Sequence, residues 1–135
     1  MTETAKNTQP GKAGTKGLKT KIAVVIYSNI TSEAPSRAYR AMGFAAELLE
    51  AGDDVTILFD GGGVATLAAV LDPAHDLHRS WRKVSSVLRG ACDYCAKAYG
   101  VHDNLLAAGV PMLKQHRGHA SLRDLLVEGR QIITF

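Results

Sequence analysis

Aromatic residues are scarce in this chain, at 6% of 135 residues with a single tryptophan, and cysteine occurs twice. No stretch approaches the roughly 18–20 continuous apolar residues of a membrane span. No apolar run follows the N-terminal lysines, so a secretory signal is not expected. With neither signal nor span, the expected location is the cytoplasm, where a cysteine pair stays reduced and more often serves catalysis or metal binding than cross-linking. There is no internal repeat. A second cysteine pair of the kind a zinc ribbon needs is also missing.

A basic groove for nucleic acid is missing too. The formal net charge is +3, but residues 1–21 hold five lysines (Lys6, Lys12, Lys16, Lys19 and Lys21) against Glu3. The rest of the chain therefore carries a net charge of −1, and no cationic surface of the folded part is implied. Residues 1–20 are polar and lysine-rich, and read as a disordered basic tail. They are either a solvated leader or an arm for a partner. Residues 21–135 form one domain of ordinary size, long enough to bury a core without staples.

What is present alternates. Residues 22–27 and 55–59 are short apolar runs rich in β-branched residues and read as buried strands. Between them Ala38, Met42, Ala45 and Leu48 or Leu49 recur at helical spacing, with Gly52 as the stop. Residues 64–71 are nearly all apolar and read as a helix buried on most sides, in the core or at a subunit contact. A third helix is expected over residues 75–88, from the stripe Leu77, Trp81, Val84 and Leu88, with Gly90 ending it. Short helices follow over residues 92–99 and 103–108, then a strand at residues 110–113. Ser121 is expected to cap another helix that stops at Gly129, and residues 131–135 form a last strand. Strands alternating with helices imply parallel pairing and right-handed crossovers. The expected fold is α/β, a three-layer open sheet of four or five mainly parallel strands with helices on both faces.

The chemistry concentrates in the segment from Gly90 to Gly100, which contains Cys92-Asp93-Tyr94-Cys95. Two cysteines three apart can close a small ring, ligate one metal, or work as attacker and resolver. If a helix starts near Asp93, its unpaired backbone N–H groups favour a thiolate at Cys92. Arg89 is near enough in sequence to assist and Asp93 opposes. Cys95, one turn on, is expected to be the more buried of the two. Among the histidines, His102 and His119 are the ones that loops can bring to the pair as further metal ligands, while His75, His78 and His116 read as surface residues. A thioredoxin fold is disfavoured because the cysteines come late and Pro111 follows closely.

Four segments together resemble the DsrE family of sulfur-relay proteins: the opening strand at residues 21–25, residues 55–61, the late cysteine segment ending at Gly100, and residues 126–135. Family members carry one cysteine eight residues before the glycine that ends the short helix, which is Cys92 here. Cys95 is a departure, and it aligns the chain with an uncharacterised Cys-x-x-Cys-Ala branch of the DsrE/DsrF-like proteins. The resemblance implies a sulfur carrier or sulfurtransferase that holds sulfur as a persulfide on Cys92. It also implies donor and acceptor proteins as partners and a homotrimer or hexamer. Cys95 is the candidate resolving thiol and His119 the candidate proton-transfer group. No cofactor and no resident metal are expected. The alternative is a non-catalytic oligomeric binding module with structural or zinc-binding cysteines.

Other features carry less. Gly61-Gly62-Gly63 before a helix lacks the lysine of a P-loop and reads as a flexible turn rather than an anion cradle. Asn29, Thr31 and Ser32 follow the first strand and either line a pocket beside Cys92 or cap the next helix. Arg79, Arg82 and Lys83 form a solvated face or a surface for an acidic partner. Tyr94 and Tyr99 are expected to pack.

Overall fold

The computed structural model describes residues 17–135. Residues 1–16, most of the expected tail, lie outside the described residues. Where the description begins, the chain is tied to the domain: Lys19 Nζ donates to the Ala51 carbonyl (3.0 Å) and the Thr20 amide to Asp53 Oδ1 (2.7 Å).

The described residues hold five strands: β1 (Lys21–Ile26), β2 (Asp54–Phe59), β3 (Leu88–Cys92), β4 (Met112–Leu113) and β5 (Gln131–Thr134). They form one sheet in the order β4-β3-β2-β1-β5, and every pairing is parallel. In β1 and β2 five consecutive residues are buried. Side chains alternate across a strand, so such a run means that both sheet faces are covered. Among the described residues six helices do the covering: α1 (Ser36–Glu50), α2 (Gly63–Val70), α3 (His78–Arg82), α4 (Asp93–Ala98), α5 (His102–Ala107) and α6 (Leu122–Val127). One group joins α1 to α3, and another joins α2 to α4 and α5. The fold is the α/β arrangement expected, with five strands.

Local signals account for several of these elements. Helix α1 buries Ala38, Ala41, Met42, Ala45 and Leu48, the stripe that its periodicity predicts. Ser121 caps α6 by accepting from the Asp124 amide at 3.1 Å. Helix α2 is buried along most of its length, as its composition predicts, and belongs to the core. The Gly61–Gly63 segment does more than turn. A Cβ on Gly63 would lie 1.8 Å from the Ile26 carbonyl oxygen, so only glycine lets α2 start against the end of β1. The loop after β1 does not cap α1, whose N-cap is Pro35. Asn29 instead closes its own turn, accepting from the Thr31 amide at 2.9 Å.

One expected element is overturned. Residues 75–88 do not make one helix: α3 is five residues long, a 3₁₀ turn occupies Ser85–Val87, and Leu88 opens strand β3. Trp81 and Val84 are still buried, with Trp81 edge-on to Phe59 at 5.6 Å between ring centres. The strand is made by its neighbours. Leu88 pairs with Ile57, Gly90 with Leu58, and Arg89 is the extra residue of a bulge. Gly90 is inside the strand, not a helix stop. Its φ of 152° and the place a Cβ would take, 2.3 Å from the Pro111 carbonyl oxygen, explain why glycine lets β4 approach β3 here.

Candidate functional site

Cys92 ends β3 and is the N-cap residue of α4. The switch from extended to helical backbone at that point puts its sulfur at the C-terminal edge of the sheet, where open α/β sheets bind ligands. Cys95 follows one turn into α4. The loops after β1 and β2 bring Tyr27 and Asp60 to the same edge.

His119 arrives from the other end of the chain's second half. The backbones of His116 and His119 bond to each other in both directions, at 3.0 and 2.8 Å, across a two-residue turn. Arg117 and Gly118 take the positive φ values of that turn, 53° and 84°. The Tyr94 amide donates to the Gly118 carbonyl at 3.0 Å, and the Tyr94 ring lies against the His119 imidazole with centres 4.4 Å apart. The turn is thereby fastened to the start of α4, and the imidazole is held over the cysteines.

The resulting contacts are short. Cys92 Sγ lies 3.4 Å from His119 Nδ1 and Cys95 Sγ 3.9 Å from the same nitrogen. Either the Cys92 thiol donates to the imidazole, or the protonated nitrogen donates to a thiolate. Cys95 donates to Asp60 Oδ1 at 3.5 Å. Burial pushes the Cys95 thiol up to about 12, and the neighbouring Cys92 adds to that by hydrogen bonding and charge. Asp60 works in the same direction, while the Gly61 backbone opposes it. Tyr27 is likewise raised to about 12, by burial and then by Asp60. The site therefore holds Cys95 as a thiol.

Asp93, directly after Cys92, is buried and anchors α4. His102 Nε2 is 2.7 Å from its Oδ1 and Lys97 Nζ 3.1 Å from its Oδ2. Burial opposes the charged carboxylate, but the bonds from His102 and Lys97 outweigh it and hold Asp93 below its usual range.

The structure brings Cys92, Cys95 and His119 together and leaves His102 on Asp93. It also reverses two expectations. Cys92 is the fully buried cysteine and Cys95 the partly exposed one, because Cys92 is the last strand residue of the core. Arg89 does not face the thiolate: its guanidinium pairs bidentately with Glu128, which also takes Arg130 Nε at 3.0 Å. His75 and His78 are half-buried rather than fully at the surface. His75 Nδ1 accepts from the Leu77 amide at 3.0 Å, and His78 Nδ1 sits 2.7 Å from the Val70 carbonyl. Tyr94 and Tyr99 do not pack into the core as expected: Tyr94 lays one face on His119 but stays 57% exposed, and Tyr99 is 50% exposed. Asp60 and Tyr27 were not legible as site residues, although each stands directly after an apolar strand at the ligand-binding edge.

Among the described residues, no helix is long and apolar enough to cross a membrane. The profile of the DsrE/DsrF-like family matches residues 20–135. The chain is also similar to the uncharacterised protein MJ0733 of Methanocaldococcus jannaschii. The two are 29% identical over 115 residues, which cover 84% of this chain and 93% of that protein.

Proposed function

Because the chain belongs to the DsrE/DsrF-like family, we propose that it is a sulfur carrier holding sulfur as a persulfide on Cys92. The observation that carries this reading is the asymmetry of the cysteine pair. The Cys92 sulfur has the His119 imidazole at 3.4 Å as a partner for its proton, whereas Cys95 is kept a thiol by burial and by Cys92 itself. One nucleophile is served, and the second is held in reserve.

In the first step the Cys92 thiolate attacks the outer sulfur of a donor persulfide. The new bond is Cys92 Sγ–S, the donor's S–S bond breaks, and the donor leaves as a thiolate that takes up a proton. An acceptor nucleophile then attacks the outer sulfur and returns Cys92 as a thiolate. Alternatively Cys95 attacks Cys92 Sγ, forming the Cys92–Cys95 disulfide and releasing hydrogen sulfide. A dithiol reductant then restores the pair. Cys92 is fully covered, so loading requires a local opening that uncovers its sulfur. The reading also carries a reducing, cytoplasmic setting, donor and acceptor proteins, and assembly as a homotrimer or hexamer.

The test is the intact mass of the reduced protein after exposure to a persulfide donor, beside the Cys92→Ser variant. A gain of roughly 32 Da that the variant lacks is the expected result. A loss of about two hydrogens instead marks a Cys92–Cys95 disulfide and a redox role. No mass change in either protein sinks the carrier reading in favour of a non-catalytic binding module.

A further inference from the structure

We propose that Cys92 Sγ, Cys95 Sγ and His119 Nδ1 form a three-ligand site for a thiophilic divalent ion, zinc in the first place, with the fourth position open. The inference does not depend on the sulfur chemistry above.

The three donor atoms all lie within 4.8 Å of one another. In a tetrahedral zinc site the ligand bond lengths, about 2.3 Å to sulfur and about 2.0–2.1 Å to nitrogen, place sulfur and nitrogen about 3.6 Å apart. The two observed sulfur–nitrogen separations, 3.4 and 3.9 Å, fall on either side of that value. Closing them around an ion takes shifts of a few tenths of an ångström, within the reach of side-chain rotation. Two sulfurs and an imidazole nitrogen select zinc over magnesium or calcium, which take oxygen ligands.

The frame is built in advance. Cys92 and Cys95 are fixed by the junction of β3 and α4, and His119 by its two-residue turn and the Tyr94 ring. Asp60 is not one of the three donors: its Oδ1, 3.5 Å from the Cys95 sulfur, loses the thiol's hydrogen bond when Cys95 deprotonates, and its negative charge then favours a cation at the site. Each thiol releases its proton to solvent as its metal–sulfur bond forms. Three protein ligands leave one coordination position, which suits an external thiolate or water. The ion and a persulfide would occupy the same Cys92 sulfur, so zinc loading and sulfur loading exclude each other.

The experiment titrates the reduced full chain with cobalt(II), which reports thiolate ligation and tetrahedral geometry by its absorption. The expected result is one cobalt per chain, with a thiolate charge-transfer band and intense d–d bands that one equivalent of zinc removes. Cys95→Ser diminishes the charge-transfer signature and weakens binding while far-ultraviolet circular dichroism shows the fold retained, and His119→Ala weakens binding at least about tenfold. The choice of Cys95 keeps the test clear of the fully buried Cys92, whose replacement alone can disturb the core. Absence of the thiolate bands in the wild-type chain overturns the proposal, as does a signature undiminished in both variants. Chelator-treated protein is tested for persulfide mass in parallel. Cobalt ligation without sulfur loading sinks the carrier and leaves the metal site. Sulfur loading without cobalt ligation does the reverse.

Discussion

The Cys92 sulfur and Nδ1 of His119 lie 3.4 Å apart although the two residues are separated by 27 positions in the chain. A strand end supplies the one and a two-residue turn the other, and the Tyr94 backbone and ring join the two pieces. If that contact serves proton transfer, His119→Ala slows persulfide loading of Cys92 on the order of 10²-fold or more, the usual size of a general acid–base contribution. His102→Ala, whose ring is engaged by Asp93, leaves the loading rate unchanged. Stopped-flow loading followed by mass spectrometry separates the two. Equal rates for His119→Ala and the wild type would remove His119 from the chemistry.

The reserve role of Cys95 has its own signature. Its thiol is raised first by burial and next by the hydrogen bond and charge of Cys92. Removing Cys92 withdraws the second and third causes and leaves the first. In Cys92→Ser, alkylation of Cys95 by iodoacetamide therefore sets in at lower pH than in the wild type, where its inflection lies near 12. Peptide mass spectrometry across a pH series reads this directly, and an unmoved inflection contradicts the coupling.

Alkali destabilises the fold by the same groups. Cys95 and Tyr27 stay protonated in the folded chain up to about 12, from ordinary values of 9.0 and 10.0. In the window between those values and 12 the unfolded chain gives up protons that the folded chain keeps. Stability present below that window is thus lost as pH rises through it. Thermal unfolding at about pH 8 and about pH 11 is expected to show a lower midpoint at the higher pH, with part of the drop absent in Cys95→Ser.

Acid acts through Asp93 and Glu128. Asp93 is held below its usual range, on balance, by His102 and Lys97, and Glu128 is lowered to about 2 by Arg89 and then Arg130. Depressed carboxyls contribute stability above their unfolded values, and that contribution fades as pH falls toward the folded ones, for Glu128 from 4.5 to about 2. Asp93→Asn keeps the shape but not the charge-assisted bonds, and is expected to cost about 2 kcal/mol at neutral pH. Urea unfolding measures it, and a loss within about 0.5 kcal/mol would show that the His102 and Lys97 bonds add little.

Close backbone approaches make two glycines intolerant. Gly63→Ala drives a methyl group into the Ile26 carbonyl, and Gly90→Ala drives one toward the Pro111 carbonyl at a φ of 152°. Each is expected to cost about 3 kcal/mol or more, or to prevent folding, since backbone cannot yield as a side chain tip does. Gly100→Ala has open space around its Cβ position and meets only the strain of its φ of 72°. It is expected to cost about 1 kcal/mol, and urea unfolding of the three variants ranks them.

Local chemistry was enough, from the sequence alone, for β1, β2, β5, the buried stripe of α1, the Ser121 cap and the start of α4 at the cysteines. Each depends on residues within a turn or two of one another: β-branched runs, helical spacing, a side-chain cap. The Cys-x-x-Cys pair was legible for the same reason, because three residues of helix bring the two sulfurs near each other. Strand β3 was not. Leu88-Arg89-Gly90-Ala91-Cys92 has no alternation and no β-branched residue, and it is a strand only because Ile57, Leu58 and Phe59 on one side and Met112 and Leu113 on the other supply its hydrogen-bond partners. That pairing buried Cys92 below Cys95 and turned Arg89 toward Glu128. The parallel register of β1 and β2 put Tyr27 and Asp60 at the same sheet edge, and the Tyr94 contacts brought His119 there. Those placements join segments tens of residues apart, and long-range pairing, which has no local trace, decided them.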